Sequence, residues 1–249
     1  GYTAAMPLMG RISDRTGYRS AFLLALGVFT LGSILVALSP DIPRLLYDGA
    51  PELNWLVGTR VFQAIGGGAM IPISIAAAGE LVGSKHRAIA YGMIGASAEA
   101  GGVFGPLWGG GITTWLSWEW AFWLNIPLTV LAAIWIMKNP PGRRNAVRVD
   151  VPTSVLFAAA LTLLTIGLVR IGEPDPLMAI SLLLAVGMVA LLAFMNNRSS
   201  DPLFPKQLFR LPSFNHSNLT HFLVGAVLII GMVAVPLMAA SVFGKSPLE

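Results

Sequence analysis

Residues Tyr91–Ile112 read YGMIGASAEAGGVFGPLWGGGI. About 20 helical residues cross roughly 30 Å of hydrocarbon, and this stretch has that length. Its only formal charge is Glu99, near the middle. Gly101, Gly102, Gly105, Gly109, Gly110 and Gly111 crowd its second half, with Pro106 among them. Gly and Pro are the poorest helix formers in water. In lipid they have uses. The four-residue repeat of Gly101, Gly105 and Gly109 lets a second helix approach closely, and Pro106 removes a backbone donor and bends the helix. A carboxylate beside a kinked glycine seam reads as a moving part.

The rest of the chain sets that stretch in a membrane. Of 249 residues, 55% are hydrophobic and 11% charged, against about 25% charged in soluble domains. The apolar residues form long blocks, which reads as an all-α polytopic membrane protein. A β-barrel would instead alternate polarity over runs of about ten residues. With no cysteine, there is no disulfide framework and no thiolate nucleophile or metal ligand. No Gly-rich phosphate loop ends in Lys-Ser/Thr, so no ATP motor and no cofactor is expected. No catalytic triad and no metal cluster is visible, so the chain does not read as an enzyme. The formal net charge of +4 sits between apolar blocks, where it sets orientation rather than attracting nucleic acid.

Residues 1–9 read as the tail of one span, followed by seven complete ones: 21–38, 55–78, 89–113, 122–137, 153–171, 177–195 and 214–240. Trp115, Trp118, Trp120 and Trp123 cluster as an interfacial belt does. Alternate loops split by charge. Arg11, Arg15, Arg19, Lys85, Arg87, Lys138, Arg143, Arg144, Arg148, Arg198, Lys206 and Arg210 fall in one set. The other holds Arg44, Arg170 and Lys245 among Asp41, Asp48, Glu52, Glu119, Glu173 and Asp175. The Lys/Arg excess puts the first set, including the loop 10–20, in the cytoplasm. The expected organisation is an N-terminal half at 1–137, a cytoplasmic linker at 138–151, a two-span hairpin at 152–196 and the start of a C-terminal half at 197–249. Asp150 before Pro152 marks a helix start. The chain opens at Gly1 without Met and closes on Lys245-Ser246-Pro247-Leu248-Glu249, so both ends read as cut and a fragment is expected.

Two charges fall clearly inside spans, Arg60 and Glu99. A charge at bilayer depth costs a few kcal/mol and faces a partner or an aqueous cavity. At 1.5 Å per residue, Arg60 lies roughly 8 Å and Glu99 roughly 13 Å below the outer interface, so the Arg side chain is expected to reach the carboxylate. Gln63 and Gly67 share the face of Arg60. A structural ion pair, a proton or cationic-substrate site, and a chance placement all fit this spacing. A second cluster, Gly10-Arg11-Ile12-Ser13-Asp14-Arg15-Thr16-Gly17-Tyr18-Arg19, has glycines for a tight turn and an Asp14 within reach of the next helix start. By composition alone it is a basic loop that sets topology. His86 reads as a loop residue; His216 and His221 are weak proton-relay candidates. The Met and Phe residues read as packing or lipid-facing groups.

That loop resembles the cytoplasmic signature of the major facilitator superfamily, Gly-x-Leu-x-Asp-Arg-x-Gly-Arg-Lys. Gly10, Asp14, Arg15, Gly17 and Arg19 match; Ile12 and Tyr18 depart. Arg60-Val61-Phe62-Gln63-Ala64-Ile65-Gly66 resembles the fourth-span motif Arg-x-x-Gln-Gly-x-Gly, with Ala64 in place of Gly. Gly101, Gly102, Gly105, Pro106, Gly109 and Gly110 resemble the fifth-span antiporter motif. Trp118-Glu119-Trp120-Ala121-Phe122-Trp123-Leu124-Asn125-Ile126-Pro127 resembles the start of span six, where Glu119 replaces a usual Arg. The extra hairpin resembles the fourteen-span drug:proton antiporter branch. The resemblance implies a multi-pass inner-membrane exporter working by alternating access. It would exchange protons for a small amphipathic or cationic compound, with Asp14 and its neighbours as a conformational latch. A periplasmic adaptor protein is a further partner this implies. A transport-dead receptor or scaffold on the same fold is the alternative.

Overall fold

The computed structural model describes residues 2–42, 52–138, 151–172, 175–199, 202 and 204–243. All regular structure among them is helical. The helices are α1 Tyr2–Thr16, α2 Tyr18–Ala37, α3 Glu52–Leu81, α4 Arg87–Trp115, the short α5 Trp120–Trp123, α6 Asn125–Met137, α7 Val151–Val169, α8 Pro176–Arg198, the short α9 Lys206–Phe209 and α10 Pro212–Phe243. Among the described residues six segments are long and apolar enough to cross a membrane: α2, Leu53–Leu81, Trp120–Met137, Pro152–Val169, α8 and Pro212–Val235. The 29-residue α4 has the length, but its glycines, Pro106 and Glu99 dilute its hydropathy. The chain is an all-α polytopic membrane protein.

The expected loop 10–20 contracts to a single corner. α1 runs on through Thr16, and Gly17 turns the chain into α2 with φ 84, a left-handed value that L side chains rarely adopt. Gly17 N–H donates to the Ser13 carbonyl at 2.8 Å. Asp14 therefore lies in the last turn of α1, and α2 starts at Gly17 without a side-chain cap. The expected capping role of Asp14 is thus corrected: the helix before it does not stop in time.

The tightest packing joins α1, α2 and α3. Tyr18, Ala21, Ala25, Ala69 and Ile73 form a buried core flanked by Met9, Phe22, Met70 and Ala77. Small residues bring these backbones together, as they do between membrane helices. A Cβ on Gly66 would lie 2.5 Å from Phe29 N and 2.7 Å from the Ala25 carbonyl oxygen; one on Gly32 would lie 2.5 Å from Gln63 Cα. By contrast, a Cβ on Gly101, Gly102, Gly105 or Gly109 would meet nothing within 4 Å. Among the described residues no helix approaches these glycines of α4, while Gly32 and Gly66 make close contacts between α2 and α3. α4 buries only Ile112, and no residue of the α10 span Pro212–Val235 is buried.

The hairpin α7–α8 packs through α7 along α1. Asp175 caps α8, its Oδ1 accepting from Met178 N–H at 2.7 Å, and its Oδ2 pairs with Arg170 at 2.7 Å. Arg11 Nη2 donates to the Pro202 carbonyl at 2.9 Å. This bond, spanning 191 residues, puts the α1–α2 corner and the segment after α8 at one end of the bundle, in line with the charge pattern. Arg44, Asp48, Arg143, Arg144, Arg148, Asp150, Glu173 and Lys245 lie outside the described residues.

Candidate transport site

The polar centre of the bundle is a chain of side chains linking α3, α2 and α6. Arg60 Nη1 donates to Gln63 Oε1 at 3.1 Å, one helical turn on. Gln63 Nε2 donates across to Ser33 Oγ on α2 at 2.7 Å. Asn125 Nδ2 of α6 donates to the same oxygen at 3.3 Å. Ser33 spends its own proton on the Phe29 carbonyl at 2.9 Å. A turn away, the Thr30 and Thr129 hydroxyls meet at 2.8 Å, adding a second α2–α6 bridge. Ser33, Gln63 and Thr129 are all buried. Interior polar groups need partners of this kind, because an orphaned one costs a large part of its desolvation energy.

Arg60 stands at the open end of this chain. Its side chain is exposed, and its guanidinium sits 4.9 Å above the Phe122 ring, a cation–π distance. Gln63 and Phe122 thus hold the planar group while most of its five N–H donors remain available. The expected contact with Glu99 is not made. Glu99 is exposed on α4 and has no hydrogen bond or ion pair among the described residues. Arg60 turns toward Gln63 and Phe122 instead.

Two clefts flank α4. One of about 400 Å³, between α3 and α4, is lined by Met70, Ile71, Ser74, Met93, Ile94, Ser97 and Ala98, directly before Glu99 in the chain. Met70 and Met93 therefore line a cleft as well as packing. The other, of about 510 Å³, lies between α4 and α10 and is walled by apolar residues including Val103, Pro106, Leu107, Leu228 and Met232. Pro106 of the antiporter motif faces this space, while Gly101, Gly102, Gly105 and Gly109 leave their side of α4 open.

At the α1–α2 corner, Gly10 passes Pro72 of α3 with its Cβ position 4.0 Å away. Asp14 and Arg15 are exposed and Arg19 is half-buried. Packing around the corner raises the Asp14 carboxyl above its ordinary range, and the neighbouring Arg11 offsets part of that rise. His86, His216 and His221 are exposed. No grouping of His, Asp and Glu suited to a metal occurs among the described residues. Glu119 Oε2 and Trp55 Nε1 are buried without partners there. Sequence reasoning passed over Ser33, Thr30 and Thr129. Their signal was faint: two hydroxyls three residues apart on one apolar span and a third alone on another.

A helical membrane bundle with isolated span charges, a buried polar chain and clefts along a helix that carries Pro106 reads as a polytopic membrane transporter. The chain matches the Major Facilitator Superfamily over residues 1–247 and belongs to that family. It is 35% identical to a triacylglyceride transporter of Mycobacteroides abscessus, over 97% of this chain and 46% of that protein. It is also 35% identical to triacylglyceride transporters of Mycolicibacterium smegmatis (98% of this chain, 43% of the relative) and Mycobacterium tuberculosis (81% and 40%). The chain spans less than half the length of these relatives.

Proposed function

We propose that this chain supplies the N-terminal half of an inner-membrane exporter that drives an amphipathic, acyl-bearing compound outward as protons enter. Arg60 carries this reading: it is a fixed, exposed guanidinium at bilayer depth, oriented by Gln63 and Phe122 and not neutralised by Glu99. A charge there is costly unless a cavity or ligand meets it. Its unused N–H donors suit carbonyl or carboxylate oxygens, and the apolar cleft beside Pro106 suits hydrocarbon. The names of the relatives point to the same class, ester oxygens on long chains. Glu99, separate from Arg60, is the proton carrier. Asp14, Arg15 and Arg19, with Gly10 and Gly17 shaping the corner, form the cytoplasmic latch. The open faces of α4 and α10 receive the opposing half. A cationic amphipath is the second reading, favoured by the unpaired carboxylate of Glu99.

The two readings separate in liposomes holding the full-length transporter. Under a proton gradient, a fluorescent triacylglyceride should move and an ethidium-type cation should not. Arg60→Gln should abolish the lipid flux. Flux of the cation alone, unaffected by Arg60→Gln, overturns the first reading in favour of the second. No flux of either leaves a receptor or scaffold.

A further inference from the structure

The polar chain at the bundle centre has a direction, and Arg60 sets it. A guanidinium only donates, so Gln63 turns its oxygen to Arg60, at 3.1 Å, and its nitrogen to Ser33, at 2.7 Å. Ser33 Oγ therefore accepts there and gives its own proton to the Phe29 carbonyl, at 2.9 Å. With that proton committed, Asn125 can also only donate to Ser33 Oγ, and it does so through Nδ2 at 3.3 Å. The Asn125 carbonyl oxygen is thereby turned away from the hub. It has no partner among the described residues. Nor is it enclosed: Glu119 Oε2 is the one enclosed side-chain oxygen without a partner among them.

This free acceptor stands beside the free donors of Arg60. Asn125 lies three residues after Phe122, and the backbone between them stays helical through Leu124 (φ −66, ψ −22), so the two side chains share a face. Arg60 covers that same Phe122 ring at 4.9 Å. Val57, three residues before Arg60, and Leu128, three after Asn125, are exposed and put hydrocarbon surface next to both polar groups. The pair discriminates between ligands. A carboxylate satisfies Arg60 but sets oxygen against oxygen at Asn125. An ammonium satisfies Asn125 but meets a like charge in Arg60. A fully esterified lipid offers acceptors alone, and once it displaces water the Asn125 oxygen is orphaned, at the cost of part of its desolvation energy. An ester with a free hydroxyl on a nearby carbon serves both: its carbonyl accepts from Arg60 and its hydroxyl donates to Asn125.

We infer that Asn125 and Arg60 form a paired acceptor–donor subsite for a free hydroxyl next to an ester carbonyl, so that the preferred cargo is a partially acylated polyol, a diacylglyceride before a triacylglyceride. This cargo rests on the export reading proposed above and narrows it. Asn125 sets the preference, and Ser33 is the positioning residue that orients its amide.

The test is competition in liposomes holding the full-length transporter under a proton gradient. Flux of a fluorescent triacylglyceride is recorded against added dioleoylglycerol or its O-methyl ether, which keeps the oxygen and loses the hydroxyl proton. The alcohol should inhibit at about fivefold lower concentration than the ether, the net effect of one hydrogen bond. Asn125→Leu should bring that ratio near one while the ether inhibits as it does in the parent. Thr129→Val cuts the second bridge between α2 and α6 but leaves the Asn125 amide, so it should keep the ratio. Equal inhibition by alcohol and ether in the parent overturns the subsite whatever the variants do. So does an unchanged ratio in Asn125→Leu, or an equal loss in both variants. A probe that does not move at all defeats the export reading and the subsite with it; a probe that moves with equal inhibition defeats the subsite alone.

Discussion

Replacing Ser33 with Ala takes one oxygen out of the middle of the polar chain. That oxygen accepts from Gln63 at 2.7 Å and Asn125 at 3.3 Å. The Asn125 bond is long and its side chain half-buried, so its loss costs little. Gln63 is only 5% exposed and Ser33 is fully enclosed, so the Gln63 amide has no easy substitute. An orphaned buried donor costs about 1–3 kcal/mol in general. Interhelical hydrogen bonds in membranes average about 0.6 and reach about 1.7 kcal/mol. A short bond between two enclosed groups belongs in the upper part of that range, so Ser33→Ala should cost about 1–1.7 kcal/mol. Gln63→Leu removes the same bond and also releases Arg60. A double-mutant cycle read by reversible unfolding in mixed micelles should therefore give a coupling of about 1 kcal/mol. Additivity of the two substitutions to within about 0.3 kcal/mol would refute the link between α2 and α3 through these side chains.

Other expectations follow from the same packing. Gly66→Ala drives a Cβ into backbone atoms of α2 and should cost about 1–3 kcal/mol in the same unfolding assay, while Gly101→Ala, which meets nothing, should leave packing unchanged. Asp14→Asn in the full-length transporter should cut transport severely without loss of membrane insertion; unaltered flux would leave the corner a purely topological role. Because the Asp14 carboxyl is raised in the fold, its contribution is present below the ordinary carboxyl range and lost as pH rises through the raised one. Thermal melts at neutral pH should therefore show Asp14→Asn no less stable than the parent. Asp175→Ala removes the α8 cap and should cost about 0.5–2 kcal/mol; the exposed Arg170 pair adds little, so Arg170→Gln should be near neutral in the same melts.

How far the sequence could be read depended on what each signal measures. Hydropathy and loop charge report position along the membrane normal; the long helices fall on the apolar blocks, and the Arg11–Pro202 bond joins two loops assigned to one side by charge alone. Rotation about each helix axis leaves a weaker trace. Arg60 and Glu99 were matched by depth, yet a guanidinium is satisfied by whatever lies in its own sector, and Gln63 and Phe122 lie there. The glycines of α4 gave a stronger pattern than Gly32 and Gly66, but the pattern states only that close approach is permitted. Ser33 was invisible for a related reason: one hydroxyl barely alters the hydropathy of α2, although it is the acceptor on which two other helices converge.

In the proposed mechanism Glu99 carries the proton while Arg60 meets the substrate, as separate groups. This separation is tested most directly by recording proton entry and lipid-probe efflux together in liposomes containing full-length Glu99→Gln. Coupled proton entry and uphill efflux should be lost while downhill exchange of the triacylglyceride probe persists. Efflux at the parent rate with the parent pH dependence would contradict it and place the coupling carboxylate elsewhere.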